Sequence, residues 1–151
     1  MRFRGNMRNL VIAVVFSSTL TTLQFGEEVA SLASVKRIQV GSMGQSDEAE
    51  RFRLLLADEL GKVGFATTDD AKTADAVLTG ALSVRVYAEE SRARVTVVLK
   101  TPGGLRMWGK DFQPNLDFHW RTSDTVKRCA QVVAKTLRKD VEKAARGATK
   151  P

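Results

Sequence analysis

The sequence predicts an α+β domain: an antiparallel sheet of four to five strands with two amphipathic helices packed on one face. Three observations carry that expectation. Residues 76–88 and 92–101 alternate apolar and polar side chains, the period of half-buried strands. Residues 49–63 and 126–144 instead repeat apolar side chains at three- and four-residue steps, which places them along one stripe of a helix. Glycine and proline punctuate the joints, at Gly41, Gly64 and Pro102-Gly103-Gly104. Elements with one apolar face must bury it, and stacking both helical stripes on the apolar side of the pleated layer does so.

Val35 to Val40 alternate well enough for a first strand, ended by Gly41-Ser42-Met43-Gly44. Ser46 or Asp47 supplies the cap of the first helix, with Glu48 and Glu50 in its first turn, where the helix dipole favours anions. Ala49, Phe52, Leu56, Leu60 and Val63 form its buried stripe, and Gly64 ends it. Phe65 to Thr68 return as a short strand, a β-α-β opening, and residues 69–75 read as a loop or single turn.

In the next strand Leu78, Leu82, Val84 and Val86 point one way, with Gly80 in the missing place; in the one after it Ala93, Val95, Val97 and Leu99 do the same. Pairing 86 with 93, 84 with 95 and 82 with 97 keeps every apolar partner on one face. The strand over 105–112 has two registers. A two-residue Gly103-Gly104 turn sets Trp108 opposite Leu99 and inward, the favoured choice; a three-residue loop sets Met107 there and turns Trp108 outward. After an irregular stretch over 113–121, Thr122, Ser123 or Asp124 caps a closing helix whose apolar stripe is Val126, Ala130, Val133, Leu137, Val141 and Ala144. Residues 147–151 are expected to fray.

Composition bounds the rest. A chain of 151 residues, 43% hydrophobic and 27% charged, suits one globular domain. A single Cys excludes an intrachain disulfide, and one Cys with one His leaves too few ligands for the usual zinc centres, so no cofactor is expected. Arg2, Arg4 and Arg8 precede the apolar run over 10–16, which then weakens into hydroxyl residues. That order is the pattern of a secretory leader over residues 1–33, with cleavage after Ala33 or, alternatively, Ser31; an uncleaved anchor is the competing reading. The domain then covers 34–146, is exported to the periplasm or beyond, and does not span a membrane once cleaved.

Charge is unevenly distributed. Residues 34–84 carry six basic and eight acidic side chains, whereas 85–151 carry fifteen and seven. Such asymmetry points to an electrostatic face for an acidic protein or another anionic surface. The candidate binding residues are Arg85, Tyr87, Arg92, Arg94 and Arg106, with Arg85 expected directly across from Arg94. Like charges so opposed are destabilising unless compensated, either by Glu89 and Glu90 at the turn or by a bound anion.

Catalytic candidates are weaker. Cys129 falls among the apolar positions of the last helix and reads as a buried thiol rather than a nucleophile. His119, between Phe118 and Trp120, would need a nearby carboxylate such as Asp111 or Asp117 to serve an enzyme or a small-ligand carrier. Asp69-Asp70 and Glu89-Glu90 read as solvated turns, and Gly41-x-x-Gly44 lacks the remaining residues of a phosphate loop. A nucleic-acid-binding sheet would need stacked aromatics on its central strands, for which only Tyr87, and Trp108 if outward, qualify.

The helix ending in Leu56-x-x-x-Leu60-x-x-x-Gly64-Phe65, the run Ala74-Asp75-Ala76-Val77-Leu78-Thr79-Gly80, the strand over 94–99, the segment Gly104-Leu105-Arg106-Met107-Trp108 and the closing helix together resemble a group of bacterial envelope domains. These are the amino-terminal domain of TolB and the CsgG-like and LpoB-like proteins. The resemblance covers most of residues 35–145. It implies a non-catalytic recognition and assembly module of the cell envelope, binding another protein. No lipid-anchoring Cys lies near the leader, and no propeller or pore-forming region accompanies the match, so translocation and secretion are not implied.

Overall fold

The computed structural model describes residues 31–87, 91–114 and 122–148. A 3-10 turn, Leu32–Ser34, leads into β1 (Arg37–Val40), α1 (Asp47–Lys62), β2 (Ala66–Thr68), β3 (Ala76–Val86), β4 (Ser91–Lys100), β5 (Arg106–Phe112) and α2 (Thr122–Ala148). The five strands form one sheet in the order β2-β1-β3-β4-β5.

The sheet is mixed, which corrects the antiparallel sheet expected from the sequence. β1 runs parallel to both β2 and β3, while β3, β4 and β5 form an antiparallel meander. The cause is α1, which carries the chain back along β1 so that β2 starts again from the same end. Alternation reports which side chains are buried; it carries no information on strand direction. Ser46 caps α1 by accepting the Ala49 amide through its hydroxyl, and Gly64 leaves the helix at φ 97°, a conformation only glycine adopts without strain.

Both helices lie on one face of the sheet. Ile38, Leu78, Val95, Val97 and Leu99 from the strands meet Phe52, Leu56 and Leu60 of α1 and Val126, Val133 and Leu137 of α2, all fully buried. Leu32 packs against the same core from the 3-10 turn. A side chain without an expected part in the fold, Asp75, accepts the backbone N–H groups of Lys36 and Arg37 at 2.9 and 2.7 Å and so fixes the start of β1. Those two amides hold its carboxyl below the usual carboxylate range.

Register decides what the other face displays. Residues of β3 and β4 pair as 84 with 93 and 86 with 91, two positions away from the expected pairing. In and out are preserved, but cross-strand neighbours change. Ser91, expected in the turn, instead pairs with Val86 as the first residue of β4. At the next hairpin Gly104, at φ 92°, closes a three-residue loop through Gly104 N–H to Thr101 O and Thr101 N–H to Leu105 O. A three-residue loop alone would turn Trp108 outward. The register shifts between Leu99 and Lys100, leaving Met107 as an extra residue, and this bulge returns Trp108 to its place opposite Leu99, 8% exposed.

Candidate binding face

The helices leave the second face of the sheet uncovered among the described residues. Along it β3 presents Ser83 and Arg85, β4 presents Arg92, Arg94, Thr96 and Lys100, and β5 presents Arg106 and Asp111, all of them exposed. The five residues expected to form a site lie at three places on or beside this surface.

At the end of the β3–β4 hairpin Arg85 stands directly across from Arg92, not from Arg94. Tyr87, 47% exposed, lies just beyond, with the Arg92 guanidinium carbon 5.6 Å from its ring centroid. The cationic face of that contact spreads part of the Arg92 charge over an aromatic surface. Glu89 and Glu90, the acidic residues expected to compensate the pair, lie outside the described residues.

Arg94 occupies the middle of the face. Its guanidinium meets Asp111 at 3.2 Å, and Thr96 donates to the same carboxylate at 2.6 Å. The Thr96 hydroxyl and then Arg94 hold the Asp111 carboxyl below its ordinary range. Arg94 is therefore neutralised locally. Arg106 pairs with Lys100 at the far end of the hairpins, and its guanidinium lies over Gly109, where a Cβ would stand 2.6 Å from Nη2. Eight residues of β3 separate Arg85 from Val77, the β3 residue in line with Lys100 and Arg106. At about 3.3 Å per residue the two cationic ends are about 26 Å apart, with a mostly neutral surface between.

The basic second half of the sequence is divided between two surfaces of the domain. Lys127, Arg128, Lys135 and Lys139 are exposed on α2, which lies on the other side of the sheet. The sequence asymmetry has become a gradient across the domain: the acidic side chains of the first half sit on α1 and in residues 69–75, while β4, β5 and α2 carry most of the basic ones.

The other chemical candidates among the described residues are buried or already engaged. Cys129 is fully buried among apolar residues, and desolvation pushes its thiol up to about 11. Asp111 is engaged by Thr96 and Arg94, and Asp117 and His119 lie outside the described residues. The Gly41–Gly44 segment buries Met43 and delivers the chain to a helix N-terminus already surrounded by Asp47, Glu48 and Glu50, which repels an anion. A recess between α1 and β2, lined by Val40, Arg53, Ala57, Thr67, Thr68 and Asp69, has a volume of about 90 Å³. Pockets for organic ligands are roughly 300–1,000 Å³. No group of three metal-ligating side chains occurs among the described residues. Nor, among those residues, is any helix long and apolar enough to cross a membrane.

No protein-family model matches the chain, and no curated protein matches it. Solved structures do. A leucine-to-methionine variant of the PelC dodecamer from Paraburkholderia phytofirmans superposes with a TM-score of 0.54 at 18% identity, over 70% of this chain and 88% of that one. The PelC dodecamer from the same organism in a second crystal form gives 0.53 at 18% identity, over 70% and 89%. At that identity the likeness establishes a shared fold.

Proposed function

We propose that this chain is an exported cell-envelope module that works by binding, capturing an acidic partner at the β3–β4 end of its open sheet face. The observation that carries the reading is the pair Arg85 and Arg92, two cations directly opposed on an exposed surface and flanked by an exposed tyrosine. Exposed guanidinium groups side by side next to an aromatic ring suit the carboxylates of an acidic partner, because each carboxylate oxygen accepts a charge-assisted hydrogen bond. The leader pattern and the resemblance to envelope recognition domains supply the compartment. Of the two cleavage positions, the one after Ser31 keeps Leu32 in its place against the core and is the one adopted in this reading.

The test is capture from an envelope fraction at two salt concentrations. Arg85→Glu with Arg92→Glu abolishes capture, whereas Lys135→Glu with Lys139→Glu, an equal charge change on the helix side, leaves it intact. Capture unaltered by the sheet pair ends the proposal. Recovery of the protein with its leader attached, inside the cell, ends the envelope part of it.

A second reading is self-assembly. The solved neighbours are dodecamers, and the charge gradient across this domain suits head-to-tail contact between the acidic edge of one copy and the basic edge of the next. Sedimentation at low and high salt separates the two readings: an oligomer dispersed by salt supports assembly, and a monomer throughout removes it. Nucleic acid is disfavoured because Trp108 faces the core, which leaves Tyr87 alone of the two expected aromatics to stack a base.

A further inference from the structure

We propose that the far end of β3, over Val84 to Val86, is a docking edge that accepts an extended partner segment of alternating acidic and apolar residues as an added strand. The inference rests on the reading that this end of the sheet captures an acidic partner, and it specifies how.

The argument begins with where β1 stops. β1 and the residues after it accompany β3 only as far as residue 82: Gly41 donates to Leu78 O, Gly80 to Ser42 O and Leu82 to Met43 O. Gly44, at φ 127°, then turns the chain away into α1. In a strand the N–H and C=O of one residue point to the same side, and the side alternates along the chain. Since 78, 80 and 82 direct their backbone groups toward β1, Val84 and Val86 do so as well, and no described residue meets them there. Ser83 and Arg85 direct theirs toward β4. Val84 and Val86 therefore offer two donors and two acceptors along an open edge, the template for strand addition.

The side chains state what would fit. Val84 is half-buried and Val86 is 70% exposed, both on the helix side, so the added strand needs apolar residues on that side. Arg85 lies on the opposite side with Arg92 one strand further in, so the alternate positions call for carboxylates. A second copy of this chain is a poor occupant of the same edge. Antiparallel pairing of two β3 strands about Arg85 would set the two arginines beside each other, a destabilising arrangement.

The test uses a capped eight-residue peptide of alternating glutamate and valine with the full-length chain. Two quantities are measured: affinity, and amide hydrogen exchange at Val84 and Val86. Binding slows exchange at both amides by about tenfold or more, and N-methylating alternate peptide residues, which blocks one edge, weakens binding by about tenfold or more. Val86→Pro removes an outward N–H that makes no bond to β4 and weakens binding similarly; the N-methylated peptide gives the same answer should that variant misfold. Binding indifferent to N-methylation, with exchange unchanged, overturns the added strand while leaving charge capture by Arg85 and Arg92 standing. Edge-dependent binding that survives Arg85→Glu with Arg92→Glu overturns the acidic occupant and the capture reading together. No binding overturns the added strand, and so does protection of Val84 and Val86 that rises with protein concentration alone, which would mean a second copy occupies the edge.

Discussion

The indole N–H of Trp108 donates to the Asp140 carboxylate at 2.8 Å, joining the edge strand β5 to the middle of α2. Lys110, two residues along β5 and on the same side of it, reaches the same carboxylate oxygen at 2.6 Å. Asp140 thus holds the edge of the sheet under the helix layer where the last strand has a neighbour on only one side. The bulge at Met107 is what turns Trp108 toward it.

Asp140→Ala is expected to destabilise the domain by about 1–3 kcal/mol, because it leaves the Trp108 N–H without its acceptor in a largely buried place. Asp140→Asn should cost less, since the amide oxygen still accepts from the indole while the attraction to Lys110 is lost. Lys110 first, and then Trp108, hold the Asp140 carboxyl below its ordinary range. A carboxylate depressed in the folded state contributes stability that is present above its unfolded pKa and disappears as pH falls through the folded one. Urea midpoints followed by tryptophan fluorescence should therefore fall more steeply with acidification below about pH 4 in the parent than in Asp140→Asn. Equal slopes would remove the role assigned to the carboxylate.

Asp111 governs how much charge the open face presents. Asp111→Ala releases Arg94 from its partner and adds a cation between the two ends. Capture of an acidic partner is expected to strengthen and to become more sensitive to salt, with the fold intact by circular dichroism. Acidification does not mimic the substitution, because the ordinary carboxylates of an acidic partner, at about 4, take up protons before the depressed Asp111 carboxyl does. A variant that binds no better at low salt would show that Arg94 takes no part in capture.

Much of the architecture is legible in the sequence, and the exceptions have physical causes. The stripes Phe52-Leu56-Leu60 and Val126-Val133-Leu137, and the alternation of β3 and β4, identify the buried faces because burial is periodic. The pairing of Arg85 is misplaced in the sequence reading because a shift of two residues leaves every side chain on its correct face, so hydrophobic pattern cannot detect it; only the number of residues between the two strands decides it, and no Asn-Gly or similar signal marks the joint. Trp108 was expected inward for the wrong reason, by a two-residue turn, when a three-residue loop and a compensating bulge produce the same orientation. The neutralisation of Arg94 by Asp111 depends on the β4–β5 register and so inherits that ambiguity. Asp75 holds the amides of Lys36 and Arg37 from 39 and 38 residues away, a long-range contact that no local pattern around it reveals.

Gly80 reads in the sequence as a gap in an apolar row, and the structure gives its reason. A Cβ there would lie 2.2 Å from the Thr96 carbonyl oxygen and 3.1 Å from the Val97 Cα, both backbone atoms that cannot swing aside. Gly80→Ala must part β3 from β4 at the centre of the sheet or shift the Leu82 amide from Met43. A loss of about 1–3 kcal/mol or more is expected, measured by chemical denaturation, despite the gain in strand propensity. A variant as stable as the parent would mean that the two strands are farther apart than the structure places them.

Cys129 supplies a reporter of opening. Its thiol is buried beside Val126 and Val133, and burial raises its pKa to about 11, so at pH 8 it is both shielded and protonated. Iodoacetamide should label the folded chain only through unfolding, at a rate that rises with urea in step with the fluorescence transition. The same raised pKa fixes a sign. A thiol that holds its proton more tightly when folded contributes stability that is complete below the unfolded pKa and is lost as pH rises toward the folded one, here between roughly 8.5 and 11. Cys129→Ala has no such thiol, so above pH 9 its stability should decline less steeply than that of the parent, though it starts lower for the lost packing. Rapid labelling of the native chain at pH 8 would place Cys129 at a reachable surface and contradict the packing of α2 against the sheet.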